Sequence, residues 1–105
     1  MTWLQLTNAV LALAGDGAKL IAHSERPWQS ITFSGTRHVF VLDFQGREAV
    51  EIGEAFLSVI TEQDFALAGH LVASVTVNWT NSTARPDALT TEIEVLLVER
   101  APVAA

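Results

Sequence analysis

The sequence predicts an α+β fold, a two-layer sandwich in which two helices cover one face of a four-stranded antiparallel sheet. Two stretches, 3–14 and 47–62, repeat apolar residues at helical spacing. Four other stretches are rich in β-branched and aromatic residues or alternate apolar with polar positions. The resulting order is α-β-β-α-β-β, and two helices suffice to cover one face of such a sheet. Moving the first strand of a ferredoxin-like βαββαβ unit to the end of the chain gives the same order.

The first helix, 3–14, is predicted to end at Gly15, because glycine readily adopts the left-handed conformation of a helix C-cap. The second helix contains Gly53, whose position suggests a close approach to the sheet. The residues expected to be buried are Trp3, Leu6, Val10 and Leu13 in the first helix, and Ala49, Ile52, Phe56, Val59 and Ile60 in the second.

The stretch 18–33 is predicted to form one long first strand, bent or bulged near Pro27, or else two shorter strands. A turn at 34–37 then leads into the strand 38–44, which has large apolar residues on both faces and is therefore expected in the middle of the sheet. Successive side chains of a strand point to opposite faces. One face of this strand then carries His38, Phe40, Leu42 and Phe44, and the other carries Arg37, Val39, Val41 and Asp43.

The third and fourth strands are predicted at 70–79 and 90–99 from their alternation. The inward residues are expected to be Leu71, Ala73, Val75, Val77 and Trp79 in the third strand, and Ile93, Val95 and Leu97 in the fourth.

Composition indicates a single domain and excludes several partners. The 105 residues include 12 acids and six bases, giving a formal net charge of −6. Nucleic-acid binding needs a basic footprint, and an anionic membrane surface would repel this chain, so we expect neither partner. There is no cysteine, which excludes disulfides and thiolate chemistry. We expect no cofactor.

Enzymatic residues are not recognisable in the sequence. His23, His38 and His70 have no metal-ligand spacing, and we predict no metal site. No serine lies in a nucleophile motif. One alternative is a small-ligand pocket or an enzyme site at the end of the sheet, with Arg37, His38, Trp28 and Trp79 as its lining. Without a paired base and nucleophile, ligand binding is the better interpretation of these residues than catalysis.

The main functional prediction is a self-associating interaction module, a homodimer without catalytic activity. Alternation places a set of apolar residues on the sheet face that the helices leave uncovered, and a contiguous apolar patch is typical of an interface. The predicted interface residues are Val39, Val41, Val72 and Leu96. The alternative is that the first helix or the segment around Pro27 covers this face within the monomer.

Several short motifs resemble a family of short uncharacterised alphaproteobacterial proteins. They are Pro27-Trp28, Ser34-Gly35-Thr36-Arg37-His38, Gly53-Glu54-Ala55-Phe56 and Gly69-His70-Leu71-Val72-Ala73. The resemblance implies a bacterial, cytoplasmic protein, and the family has no assigned activity to carry over.

Overall fold

The six predicted elements are present, in the predicted order, in a computed structural model that describes residues 2–62, 70–84 and 86–99. Helix α1 spans Thr2–Ala14 and helix α2 spans Arg47–Val59, continued by a 3₁₀ turn at Ile60–Glu62. The strands are β1 (Ala18–Gln29), β2 (Ser34–Gln45), β3 (His70–Ala84) and β4 (Asp87–Glu99). The α+β fold class and the αββαββ order are therefore confirmed.

The four strands form one antiparallel sheet in the order β1-β2-β4-β3. Strand β2 lies in the middle, as its two apolar faces predict. One face of the two central strands is fully buried under the helices, and we call it the inner face. Its largest buried side chains are Phe40, Leu42, Phe44, Leu89, Ile93, Val95 and Leu97.

Helix α1 packs on the inner face through Leu6, Val10 and Ala14, all without solvent exposure. Gly15 ends the helix with a φ of +92°, and its backbone N–H donates to the carbonyl of Leu11 at 3.0 Å. This is the left-handed C-cap that the sequence predicts.

Helix α2 buries part of the predicted stripe, since Phe56 and Ile60 are buried and Ala49 packs against the core. Gly53, Phe56 and Ile60 are buried, whereas Ile52 and Val59 are exposed. The reason is the close approach at Gly53, where an added Cβ would lie 2.8 Å from Cδ1 of Phe44. Because the Gly53 side of the helix contacts the sheet, the adjacent Ile52 points away from the sheet and is exposed.

The first hairpin differs from the prediction at its turn. Strand β1 continues through Pro27 to Gln29, which pairs with Ser34, and the turn is formed by 30–33 rather than 34–37. Pro27 is tolerated because β1 is an edge strand, where a missing backbone donor breaks no ladder. The bulge in β1 lies at Ile21 instead, between the paired positions Leu20 and Ala22.

Two bulges in β3 break the predicted alternation near both ends of the predicted strand, while Val75 and Val77 face the core as predicted. Register shifts occur between Val72 and Ser74 and between Val77 and Trp79, and each bulge exchanges the two faces. Leu71 and Trp79, expected inward, are exposed on the outer face. Val72, predicted in the outer interface, pairs with buried Leu97 and packs against the core.

Candidate functional site

The sheet face opposite the helices, which we call the outer face, is polar along its middle. Each of its three carboxylates accepts a hydrogen bond from a residue on a neighbouring strand. Arg37 on β2 donates to Glu94 on β4 at 2.7 Å. Farther along, Thr90 donates to the carboxylate of Asp43 at 3.0 Å, and Asn78 donates to Glu92 at 2.9 Å.

The outer face is also electrically balanced. The strand registers place three cationic residues (Lys19, Arg26 and Arg37) and three acidic residues (Asp43, Glu92 and Glu94) on it. The whole chain carries a formal charge of −6. The excess of acids therefore lies elsewhere, and the exposed Glu48, Glu51 and Glu54 of α2 contribute to it.

One end of the outer face is apolar and concave. A groove of about 420 Å³ opens there between the two edge strands, close to the turn of the first hairpin. We call it the outer groove. It is lined by Trp28, Phe33, Leu71, Val72, Ala73, Leu96 and Val98, none of which is charged.

Gly35 lies at this end of the sheet, paired with both Trp28 and Val98. A Cβ added at Gly35 would overlap the carbonyl oxygen of Leu97, so no larger residue fits without moving the backbone of β4. Gly35 therefore allows β2 and β4 to lie close together at this end of the sheet. The sequence predicts this glycine within a turn, whereas it lies within β2.

The predicted interface residues are distributed unevenly over the outer face. Leu96 and Val72 line the outer groove, and Val72 also packs against the core. Val39 and Val41 lie half-buried in the polar middle, opposite Glu94 and Glu92. Leu71, Val98 and Phe33 line the groove but are missing from the predicted set. The exposed Leu71 could not be placed there because the bulge at Ala73 leaves no mark in the alternation of the sequence.

The four residues predicted to line a ligand pocket do not converge. Arg37 and His38 are consecutive in β2, so their side chains lie on opposite faces of the sheet. Trp28 lines the outer groove on one edge of the sheet, and Trp79 is exposed on the other edge strand. His38 lines a different cleft of about 300 Å³, on the inner face, which contains neither tryptophan.

The inner-face cleft brings together two of the three histidines. Trp3, Glu25, Thr36, His38, His70, Leu97 and Glu99 line it. The alternation predicts His38 and His70 on opposite faces of the sheet, so a bulge is needed to place both on the same face. The bulge at Ala73 does this, since His70 pairs with Glu99 on the inner face.

His38 is 2% exposed and its Nδ1 atom lies 3.0 Å from Nε2 of His23. The indole of Trp3 stacks on the other side of His23, with ring centroids 5.5 Å apart. Burial lowers the pKa of His38, and the carboxylate of Glu25, 3.7 Å from Nδ1, acts in the opposite direction. Positive charge on His23 or His70 would lower the pKa further.

This arrangement offers little for catalysis or metal binding. Within residues 2–62, 70–84 and 86–99, no group of three histidine, aspartate or glutamate side chains could hold a metal ion. The interaction joins the buried His38 to the half-buried His23 beside Trp3, in the N-terminal turn of α1. The outer groove is therefore the better candidate for a functional site.

Comparison with known proteins gives a fold relationship and no family. No protein-family model matches the chain, and no curated protein matches it. A solved structure with a similar fold is a chain of the virion of a native gene transfer agent particle. Its TM-score is 0.52 with 15% sequence identity, covering 94% of this chain and 90% of that one. At this identity the likeness shows the fold alone.

No helix in the described part of the chain is long and apolar enough to cross a membrane. The cytoplasmic location implied by the family resemblance stays a prediction.

Proposed function

We propose that this chain is a non-catalytic structural subunit of a protein assembly, and that it forms a homodimer through the outer groove. The outer groove carries the proposal. It is an uncharged concave surface bordered by half-exposed apolar side chains, the kind of surface that is typical of a protein interface. Leu71 is 49% exposed and Phe33 is 52% exposed at its border.

The charge distribution supports a second copy as the partner. Two chains of net charge −6 repel one another, and the repulsion is weakest where their contact surfaces are balanced. Among the described residues, the outer face carries equal numbers of cations and acids, and the outer groove carries neither. The helical side, with its exposed glutamates, is the less favourable surface for such a contact.

The structural neighbour supports a role in an assembly. A chain with a similar fold belongs to the virion of a native gene transfer agent particle. We carry over only the general role, that of a small structural subunit. No feature of the described residues requires a reaction as well.

The test replaces one apolar residue at the groove with a charge and uses a matched substitution elsewhere. Leu71→Glu places a carboxylate at the groove on an edge strand, where the free monomer leaves it in water. Val59→Glu also replaces an apolar side chain with a carboxylate, but on α2. Val59 is 48% exposed and Leu71 is 49% exposed, so the two positions are matched. Size-exclusion chromatography with light scattering then gives the mass of each variant.

We expect Leu71→Glu to weaken dimerisation by at least about tenfold, roughly 1.4 kcal/mol, because the dimer would bury an unpaired charge. Val59→Glu should dimerise like the parent. Circular dichroism of both variants should match the parent. Equal dimerisation of Leu71→Glu and the parent would remove the outer groove from the interface.

A further inference from the structure

The turn between β1 and β2 presents an unusual side chain to solvent. Its residues are Ser30, Ile31, Thr32 and Phe33, and Ile31 at the tip is fully exposed. Turns of this kind normally use glycine, proline, asparagine, aspartate or serine, because these residues satisfy the backbone or the dihedral angles. Neither reason applies to a β-branched residue, so the apolar tip calls for another explanation.

The tip is held in one conformation by two short hydrogen bonds. The backbone N–H of Ser30 donates to the carbonyl of Phe33 at 2.8 Å. The backbone N–H of Phe33 donates to Oγ of Ser30 at 3.0 Å. Ile31 is thus projected by a closed turn, and a preorganised side chain loses less entropy on binding than one on a mobile loop.

The tip and the outer groove match in chemistry. No residue from Ser30 to Ser34 is charged, and none of the groove-lining residues that the structure describes is charged. The groove volume of about 420 Å³ is large enough for a branched aliphatic side chain. Phe33 belongs to both features, so tip and groove lie side by side at the same end of the sheet.

We propose that Ile31 at the tip of one copy occupies the outer groove of a second copy, and that the exchange is reciprocal. This inference rests on the proposed homodimer and names the side chain that fills its groove. A two-fold axis presents the same surface from both partners. Because tip and groove are neighbours, one such axis places each tip against the other groove, which makes the contact self-complementary.

The first experiment uses Ile31→Ser, with Thr32→Ser as the matched control at the same turn. We expect Ile31→Ser to raise the dimer dissociation constant at least about tenfold by sedimentation equilibrium. The thermal unfolding midpoint of the monomeric variant should equal that of the parent monomer, because Ile31 is fully exposed within its own chain. Thr32→Ser should dimerise like the parent.

The second experiment exploits the absence of cysteine from the natural sequence. Ile31→Cys, carrying a tag of distinct mass, is mixed with Leu71→Cys and oxidised. We expect a disulfide-linked heteropair, since the account places residue 31 of one copy beside residue 71 of the other. The control mixture combines Ile31→Cys with Ala55→Cys, which lies on the exposed side of α2 and should give little heteropair.

Parent-like dimerisation of Ile31→Ser, or equal heteropair yields in the two mixtures, would overturn the inference and show that something else covers the groove. The proposed homodimer would survive that result if Leu71→Glu still dissociates. A parent that is monomeric would overturn both proposals.

Discussion

Nε2 of His23 and Nδ1 of His38 lie 3.0 Å apart, so one imidazole must donate a hydrogen bond to the other. This requires an acceptor nitrogen on one ring, and a doubly protonated pair would have only donors. The pair joins the edge strand β1 to the central strand β2 beneath Trp3 of α1. Its protonation state is therefore coupled to the packing of α1 on the sheet.

The first prediction concerns pH. Burial lowers the pKa of His38 in the folded chain, while Glu25 opposes that shift and charge on His23 or His70 adds to it. The unfolded chain then binds the proton more tightly than the folded chain. We expect the free energy of unfolding to fall as pH drops below about 6.5, the ordinary pKa of histidine.

Urea unfolding at about pH 7.5 and pH 5.5, on either side of the ordinary pKa of histidine, measures this dependence. In His38→Gln the loss of stability between the two pH values should be smaller than in the parent, because the residue that takes up the proton on unfolding is gone. An unchanged pH dependence in His38→Gln would show that other groups cause it.

The second prediction concerns the contact between α2 and the sheet. Phe56 is 2% exposed, and its ring lies 6.4 Å from that of Phe44 on β2. Phe56→Ala should cost about 3–5 kcal/mol in urea unfolding, because it leaves a cavity between helix and sheet. Ile52→Ala on the same helix should cost less than about 1 kcal/mol, since that side chain is exposed. Similar losses of unfolding free energy in the two variants would contradict the assignment of Phe56 to the buried side of α2 and Ile52 to its exposed side.

The third prediction sets helix propensity against packing at Gly53. Alanine normally stabilises a helix interior by about 1 kcal/mol relative to glycine. Here the added Cβ would lie 2.8 Å from Cδ1 and 2.9 Å from Cγ of Phe44, and overpacking costs about 1–3 kcal/mol. We expect Gly53→Ala to be destabilising overall. Glu54→Ala, on the exposed side of the same turn, should change stability by no more than about 0.5 kcal/mol. A Gly53→Ala protein more stable than the parent would show that α2 can move away from the sheet.

Most of the fold was predictable from the sequence, because the spacing of apolar residues and the residues that end each element agree along most of the chain. The alternation in β2 and β4 continues without a bulge, and both strands have the predicted inner faces. The glycine at the end of α1 gave the correct boundary. On α2 the helical period, the burial of Phe56 and Ile60 and the close approach at Gly53 were predicted correctly. Ile52 and Val59 were placed wrongly, because the apolar spacing does not show which side of Gly53 faces the sheet.

The candidate site was less predictable because it depends on backbone irregularities. The bulge at Ala73 moves Leu71 to the outer face and Val72 to the inner face, and nothing in the composition of β3 marks it. The turn was misplaced because Gly35 is a typical turn residue, yet here it lies within a strand at a close approach to Leu97. With the turn at 34–37, Ile31 was assigned to a strand and its exposure at the tip could not be anticipated.

The fourth prediction concerns the extent of the dimer contact. Val41, part of the interface predicted from sequence, lies six residues beyond Gly35 on β2, about 20 Å away at about 3.3 Å per residue. We expect Val41→Glu to remain dimeric, because the contact is at the groove end of the sheet. Val41→Lys serves as its partner variant, since Val41 pairs directly with Glu92 and only the glutamate opposes a like charge.

Two folded monomers from the Val41 pair would show that the contact extends over the middle of the outer face. A Val41→Glu protein that unfolds while Val41→Lys stays dimeric would report the repulsion by Glu92 and would leave the groove contact intact.

Self-association of the unmodified chain is measured by sedimentation velocity. The measurement is made at tens of micromolar protein, near neutral pH and at moderate salt. We expect a main species with the mass of two chains, which dissociates to single chains on dilution. A single species with the mass of one chain throughout that concentration range would contradict self-association.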